Sequence, residues 1–320
     1  MSIKCMPTSL EIISDTESRD YSIIRLSKDN LNDVAKLYSA VYNTAISSDY
    51  FPKKYDTAYT GIEYVGFISY DRDNQPAAYY GVIPCFIQYG NEIISAAQSA
   101  DTMTHPQHRY KGMFIKLSNM TFDLCRELGI RLIFGFPNQN SYPAMINRLG
   151  WIETEKMSRF QIPVRTIWER SFFQSTKKYR EKMLNKFLSP QLGVPNSVID
   201  DGFAGVYRNE AYLAYKAFSG STVIKIGSGD LWVKIGKELI IGDILLKGNN
   251  DKVFFKEIKE LAKKLGLNKI SFQTCSGSSL YDLFASRCKA LPSFPVLLRD
   301  FGSGLPLEKI KFNFAEIDIF

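Results

Sequence analysis

Between residues 64 and 104 the chain has room for little except an antiparallel meander. Three strand-like runs, at 64–70, 77–88 and 92–104, are separated only by Asp71-Arg72-Asp73-Asn74 and by Gly90-Asn91. Both separators are strong turn signals, and connections this short join neighbouring antiparallel strands. A helix starting around Gly112 must follow, because Phe114, Leu117, Thr121, Leu124 and Leu128 recur on one stripe before Gly129 closes it. Residues 131–136 then read as a short apolar strand bounded by Pro137-Asn138, and Ser141 caps a short helix that stops at Gly150. Residues 158–164 read as a closing strand. Upstream, Ser27 begins a helix with Leu31, Val34, Ala35, Tyr38 and Val41 on its apolar face.

The same order returns in the second half: a helix near 210–218, strands at 222–226, 231–235 and 238–247, a helix at 251–265, then a strand and a short helix. Leu124-Cys125-Arg126-Glu127-Leu128-Gly129-Ile130 echoes Leu261-Ala262-Lys263-Lys264-Leu265-Gly266-Leu267 at an offset of 137 residues, and Ser141 falls on Ser278 at that offset. A duplication follows as the expectation. With 320 residues, about twice a usual domain, the predicted architecture is two α/β (α+β) domains at 1–164 and 191–320, joined by a basic linker helix at 165–190.

No run approaches the ~20 apolar residues of a membrane span, and the polar, acidic start does not resemble a signal peptide. A cytoplasmic protein with no membrane partner is expected. Cys5, Cys85, Cys125, Cys275 and Cys288 are scattered without a CxxC, which argues against a zinc site or a disulfide framework. The net charge of +7 is carried by the second half: residues 1–160 hold 16 Lys/Arg and 17 Asp/Glu, residues 161–320 hold 24 and 16. Such a surplus attracts anionic ligands, although a solvated linker helix at 165–188 would account for part of it.

The chemically informative segment runs from Ser99 through Asp101-Thr102-Met103-Thr104-His105-Pro106-Gln107-His108-Arg109-Tyr110-Lys111-Gly112-Met113-Phe114. It joins a strand to a helix. The unpaired N–H groups and positive dipole of a helix start suit phosphate; Gly112 lets the backbone approach, and Arg109 and Lys111 add charge. Neither GxxxxGK[ST] nor GxGxxG is present, which excludes the two common nucleotide motifs. The segment instead resembles motif A of the GNAT superfamily of acyl-CoA N-acyltransferases, here Pro106 followed by Arg109-Tyr110-Lys111-Gly112-Met113-Phe114, with Phe114 where the family has a small residue. Residues 135–142 and the ending Arg148-Leu149-Gly150-Trp151 are similar to the family's motif B, so the resemblance covers 21–164.

That resemblance implies two GNAT-like domains, each a mixed, mostly antiparallel sheet flanked by helices. It assigns Thr102, Met103 and Thr104 to pantetheine, and Arg109, Tyr110, Lys111, Gly112, Met113 and Phe114 to pyrophosphate. Asn138 and Asn140 belong to the cofactor-binding set as well. It further implies direct acyl transfer to an amine, with a base and an acid. Asp101 is the carboxylate at the end of the motif A strand, a candidate base or a turn-fixing residue. The family's usual acid Tyr falls on Ile146, and Tyr142, one turn earlier on the same face, is the substitute, unless it is simply a buried aromatic. His105 and His108 flank Pro106 with no further ligand at metal spacing, so no metal is expected, although His108 could line the cofactor entrance. Cys125 reads as core. At the 137-residue offset the cradle becomes Leu246-Lys247-Gly248-Asn249-Asn250-Asp251, without the Arg or the glycine at the fourth place.

The expectation is therefore a GNAT-type N-acetyltransferase (EC 2.3.1.-) that uses acetyl-CoA and a small-molecule amine acceptor, conceivably a nucleotide-linked amino sugar. The degenerate second half would bind that acceptor. Two alternatives remain open: a Fem-type aminoacyl transferase that uses charged tRNA, disfavoured by the intact cradle, and a non-catalytic acyl-CoA-binding regulator. Nucleic acid is not the expected partner, and oligomeric state is not legible.

Overall fold

The computed structural model describes residues 20–165, 177–248 and 250–320. Strand β1 (Ser22–Arg25) precedes α1 (Leu31–Tyr42) and α2 (Tyr50–Lys54); β2 (Val65–Tyr70), β3 (Pro76–Tyr89) and β4 (Glu92–Thr104) form the meander. Helix α3 (Met113–Glu127), β5 (Leu132–Gly135), α4 (Tyr142–Leu149) and β6 (Ile152–Pro163) complete the first pass. The second contains α5 (Lys177–Leu184), α6 (Ser197–Asp200), β7 (Gly205–Val206), α7 (Glu210–Lys216) and strands β8 (Thr222–Ile226), β9 (Gly229–Ile235) and β10 (Leu239–Leu246). It ends with α8 (Asp251–Lys264), β11 (Lys269–Thr274), α9 (Ser279–Ala285) and β12 (Leu291–Asp300). Residues 166–176 of the basic linker and Cys5 lie outside the described residues.

Three differences from the sequence expectation have physical causes. Helix α2 lies where the sequence suggests a loop, since Pro52 and two lysines mask a turn that buries Phe51 and Lys54. Strand β6 starts at Ile152, six residues before the apolar alternation of 158–164, because Glu153, Glu155 and Lys156 conceal it. Strand β12 contains Pro292 and Pro295, and its register with β6 shifts between those prolines, as expected where proline breaks a ladder.

The strands form one 12-stranded sheet in the order β1-β2-β3-β4-β5-β12-β6-β11-β10-β9-β8, with β7 on β3. Strands β4 and β5 are parallel, as are β10 and β11, and both meanders are antiparallel. The closing strands are exchanged. Strand β12, from the end of the chain, pairs with β5, while β6, from the first pass, pairs with β11. Each half's closing strand completes the other half's sheet, and the two strands pair with each other between them.

Helix α3 packs Met113, Leu117, Phe122 and Leu124 with Val65, Phe67, Ala78 and Tyr80 of the first meander. Helix α8 does the same for the second with Phe254, Phe255, Ile258 and Leu261. Beyond β12 the chain returns to the sheet. Arg208, with its side chain 1% exposed, is held 2.7 Å from Asp243 and also pairs with Glu316, fixing this last segment. Phe320 is fully buried, its ring 5.6 Å from that of Trp232. A methyl group on Gly242 would come within 2.3 Å of the Phe320 ring, so this close approach requires glycine.

Candidate active site

Strand β4 leaves β5 early. The two pair only at Ala96–Leu132, Ala97–Ile133 and Gln98–Phe134, whereas β4 stays on β3 as far as Thr104. Glycine at 135 permits the last close approach, since a methyl there would lie 3.3 Å from Ser99 Cβ. Beyond that point β4 offers backbone donors and acceptors on its β5 side, in a gap between diverging strands.

Within the gap lies a β-bulge. Tyr79 opposes Met103 and Gly81 opposes Ala100, so Asp101 and Thr102 together face Tyr80. Asp101 adopts φ 52°, a left-handed conformation that Asp tolerates better than most residues, and bulges of this kind re-aim side chains. Its carboxylate meets Lys54 Nζ at 2.7 Å and accepts a hydrogen bond from the Tyr55 hydroxyl at 3.0 Å. Lys54 is simultaneously 2.7 Å from Asp318, in the returning C-terminal segment. One buried ammonium thus lies between two carboxylates 217 positions apart in the chain.

The electrostatics follow from that arrangement. Burial alone would lower Lys54, but Asp101 and Asp318 outweigh it and hold the ammonium well above its ordinary range. Asp101 is raised, chiefly by burial and also by Asp318, against the pull of Lys54. The cause is physical: the Asp101 carboxylate is nearly enclosed, at 9% exposure, and shares its cation with a second carboxylate. Tyr42 and Tyr50 stand around the group, both raised first by burial and also by Asp101.

The candidate phosphate cradle adjoins the end of β4. A single turn at Pro106–His108 leads to Arg109, then Tyr110 and Gly112 both take left-handed conformations, φ 65° and 76°. Nothing would obstruct a side chain at Gly112, so its backbone angle is what demands glycine. Arg109, Tyr110, Lys111 and Gly112 are exposed, and α3 begins at Met113 without a side-chain cap. Its first N–H groups therefore remain available to an anion. Met113 is buried, and the Phe114 ring turns inward against Tyr80, centroids 6.0 Å apart. The large residue at this place packs beneath the cradle instead of filling it. These features fit a pyrophosphate-bearing co-substrate.

His108 contributes to the loop's shape. Its Nδ1 is hydrogen-bonded to the Tyr21 hydroxyl at 2.7 Å and its Nε2 lies 3.4 Å from Asp71, tying the cradle to β1 and to the first hairpin. Asn138 is also a local fastener, its Oδ1 accepting from the N–H groups of Asn140 and Ser141 at the start of α4. Asn140 is exposed. The Tyr142 hydroxyl donates to Glu153 of β6, and this bond holds the phenol above its ordinary pKa. Ile146 packs half-buried on the α3 core. Cys125 is fully buried there, its thiol pushed up to about 12 by burial.

The structure brings Asp101, Thr102, Met103, Thr104 and the cradle residues onto one continuous segment. Tyr142 instead stands with Glu153, apart from the Asp101 ion pairs. Lys54, Tyr55 and Asp318 are site residues that the sequence does not reveal. Lys54 sits in a helix masked as a loop, and Asp318 is 264 positions away with no motif around it. A small cavity behind the site, bounded by Gln98, Tyr215, Lys216 and Asp318, has about 20 Å³ of space, room for one water and not for a substrate.

Residues 22–153 match the acetyltransferase (GNAT) domain family. No match was found among curated proteins. Among solved structures, a GCN5-related N-acetyltransferase from Kribbella flavida is 11% identical with a TM-score of 0.58, the alignment covering 90% of this chain and 72% of that one. A GCN5-related N-acetyltransferase from Anabaena variabilis is 14% identical, with a TM-score of 0.53 and coverage of 88% and 73%. A chain from Pyrococcus horikoshii, for which acetyltransferase activity is suggested, is 11% identical with a TM-score of 0.58, over 94% of this chain and 95% of that one. At these identities the likeness is one of fold, and it extends through the second half. Among the described residues, no helix is long and apolar enough to cross a membrane.

Proposed function

Residues 22–153 are a GNAT acetyltransferase domain, of enzyme class EC 2.3.1.-, and from that premise we propose that the protein transfers an acetyl group from acetyl-CoA directly to a primary amine of a small molecule. The observation that carries this reading is the position of Asp101, on a bulge at the point where β4 has left β5 and just before the cradle. Acetyl-CoA supplies an activated thioester. The backbone of Thr102, Met103 and Thr104 would bind the pantetheine arm in the gap, and Arg109, Lys111 and the first turn of α3 the pyrophosphate, with Asn140 nearer the thiol.

Asp101 takes the proton from the attacking amine. A base works best when its pKa approaches the working pH, and burial moves Asp101 in that direction. Lys54 and Tyr55 hold its carboxylate in place. The Asp101 and Asp318 carboxylates and the aromatic faces of Tyr42 and Tyr50 would attract an acceptor that arrives as an ammonium, and the amine attacks once its proton has passed to Asp101. Tyr142 is the proton donor to the departing thiolate, oriented by Glu153. A thiolate needs little help to leave, so this contribution is small.

In this reading residues 1–164 carry catalysis, and residues 191–320 complete the sheet, supply Asp318 and bind the acceptor. The test is an acetyl-CoA consumption assay across amino sugars, nucleotide amino sugars, polyamines and amino acids, alongside melting curves with acetyl-CoA. A rise in Tm with acetyl-CoA and turnover with one amine class are expected. The absence of both a rise in Tm and turnover with every amine tested would overturn the reading.

A further inference from the structure

On the second half, away from the splayed strands, lies an open groove of about 1070 Å³. Its origin is the strand exchange. Strand β12 joins β6 from the Leu291–Arg159 pair onward, so residues 161–163 of β6 have β11 on one side and, among the described residues, no strand on the other. Helix α8 forms one wall with Lys252, Lys256 and Lys259, which share a face at i, i+4 and i+7. Lys269, Arg287 and Lys289 complete the rim, and Ile162, Pro163, Phe255 and Leu291 make an apolar floor.

Among the described residues the groove's lining contains no carboxylate. Lys269 is paired with Glu238 at 2.8 Å, but among the described residues Lys252, Lys256, Lys259, Arg287 and Lys289 have no carboxylate partner within 4.0 Å. Arg287 lies 5.9 Å over the Phe255 ring. The first half shows what this position holds when it serves only the core. At the 137-residue offset, Lys259 corresponds to Phe122 and Cys288 to Trp151. Those two rings pack 6.0 Å apart, and Phe301 closes over Phe122 at the same distance. The second half has replaced an aromatic plug with a cavity and a cation. Lys252 and Lys256 likewise stand where the first half has Ile115 and Asn119.

Five cations around one hollow, without a carboxylate partner among the described residues, repel each other, which a folded protein does not need and a multiply charged anion relieves. The volume exceeds what a single phosphate fills and is of small-ligand size. The apolar floor suits a flat ring, while Arg and Lys suit phosphate oxygens. We propose that this groove is a second ligand site, which takes a nucleoside diphosphate or triphosphate with its phosphates on the lysines and Arg287 and its base on the apolar floor. The site is separate from the acyl-CoA cradle: along β12, Leu291 lies six residues from Leu297, the partner of Gly135, or roughly 20 Å at strand rise.

The test is calorimetric titration of the full-length protein with GDP under saturating CoA, which keeps the first-half cradle filled. Binding that survives CoA and weakens with added salt is expected. The double variant Lys256→Glu/Lys259→Glu, at two exposed positions with no core contact to lose, should bind at least about tenfold more weakly. Lys237→Glu, an exposed charge reversal off the groove, should bind as the parent does. Loss of GDP binding on adding CoA would place the nucleotide in the first cradle and overturn the proposal. Equal affinity in the double variant would overturn it too, as would salt-sensitive binding of duplex RNA with no binding of GDP.

Discussion

Lys54 Nζ lies 2.7 Å from Asp101 Oδ2, in a setting where the lysine side chain is 1% exposed. A cation so deeply buried is tolerable only because Asp101 and Asp318 both neutralise it. Lys54→Met leaves two carboxylates without a counter-charge, and a loss of about 3–5 kcal/mol is expected, measured by denaturant unfolding. Asp101→Asn keeps the shape and removes the proposed base. Its kcat should fall about 10²–10⁴-fold while acyl-CoA binding by calorimetry is unchanged.

The pH dependence carries a second prediction. Activity should rise as Asp101 loses its proton, and because burial raises its pKa, that limb lies above the ordinary carboxylate value of 3.8. Asp318 raises Asp101 further. Asp318→Asn removes that repulsion and leaves Lys54 to Asp101 alone, so the acidic limb of the kcat/KM profile should move to lower pH. A profile that stays in place would separate Asp101 from the proton transfer.

At the cradle, Gly112→Ala meets no obstruction but must hold φ 76°, a conformation that costs L-residues roughly 1–2 kcal/mol. Arg109→Ala would remove the proposed charge-assisted contact to pyrophosphate, worth about 1.5–3 kcal/mol. Both should raise the KM for acyl-CoA, the second by roughly tenfold or more, with little change in the KM for the amine. Steady-state kinetics with each substrate varied in turn will show this.

Tyr142 should matter less. Its hydroxyl proton is committed to Glu153 and its pKa is raised by that bond. Tyr142→Phe is expected to lower kcat by no more than about tenfold, since a thiolate leaves readily. A loss as large as that of Asp101→Asn would make the phenol an essential acid.

Lys216 gives a stability signature independent of catalysis. Burial lowers its pKa from 10.5 to about 7, although Asp318 and Glu316 pull the other way. The folded state then binds fewer protons than the unfolded state between about 7 and 10.5. Stability should rise with pH across that window, and the gain is lost as pH falls through 7. Lys216→Met should flatten the rise in Tm measured against pH.

How much of this was legible beforehand varies with the range of the interaction. The meander, α3, α4 and the glycine turn that opens α3 were readable because each depends on local signals: Gly90-Asn91 for a turn, Gly112 and Gly129 for the ends of a helix, an apolar stripe between them. Asp101 was visible as a strand-end carboxylate, but its bulge was not, since an extra residue in a ladder leaves no local mark. The pairing of Lys54 with Asp318 could not be read at all. It depends on the returning C-terminal segment, fixed in turn by Phe320 against Gly242 and by Glu316 against Arg208. The strand exchange was hidden for a similar reason: Pro292 and Pro295 disguise β12, and nothing in a strand's own residues states which partner it will choose.

That exchange has a consequence for how the protein is made. On the ribosome, Gly135 emerges about 160 residues before Leu297, the neighbour it needs, so the first half spends much of translation with the edge of β5 uncovered. Over the same interval β6 waits for β11, which also lies far downstream. Neither half is a finished object when its own residues have been synthesised. The exposed edges are places where a nascent chain can pair with the wrong neighbour, including another copy of itself. Fragments cut between the two passes should therefore aggregate, and the yield of active protein should depend on how quickly the residues of β12 follow.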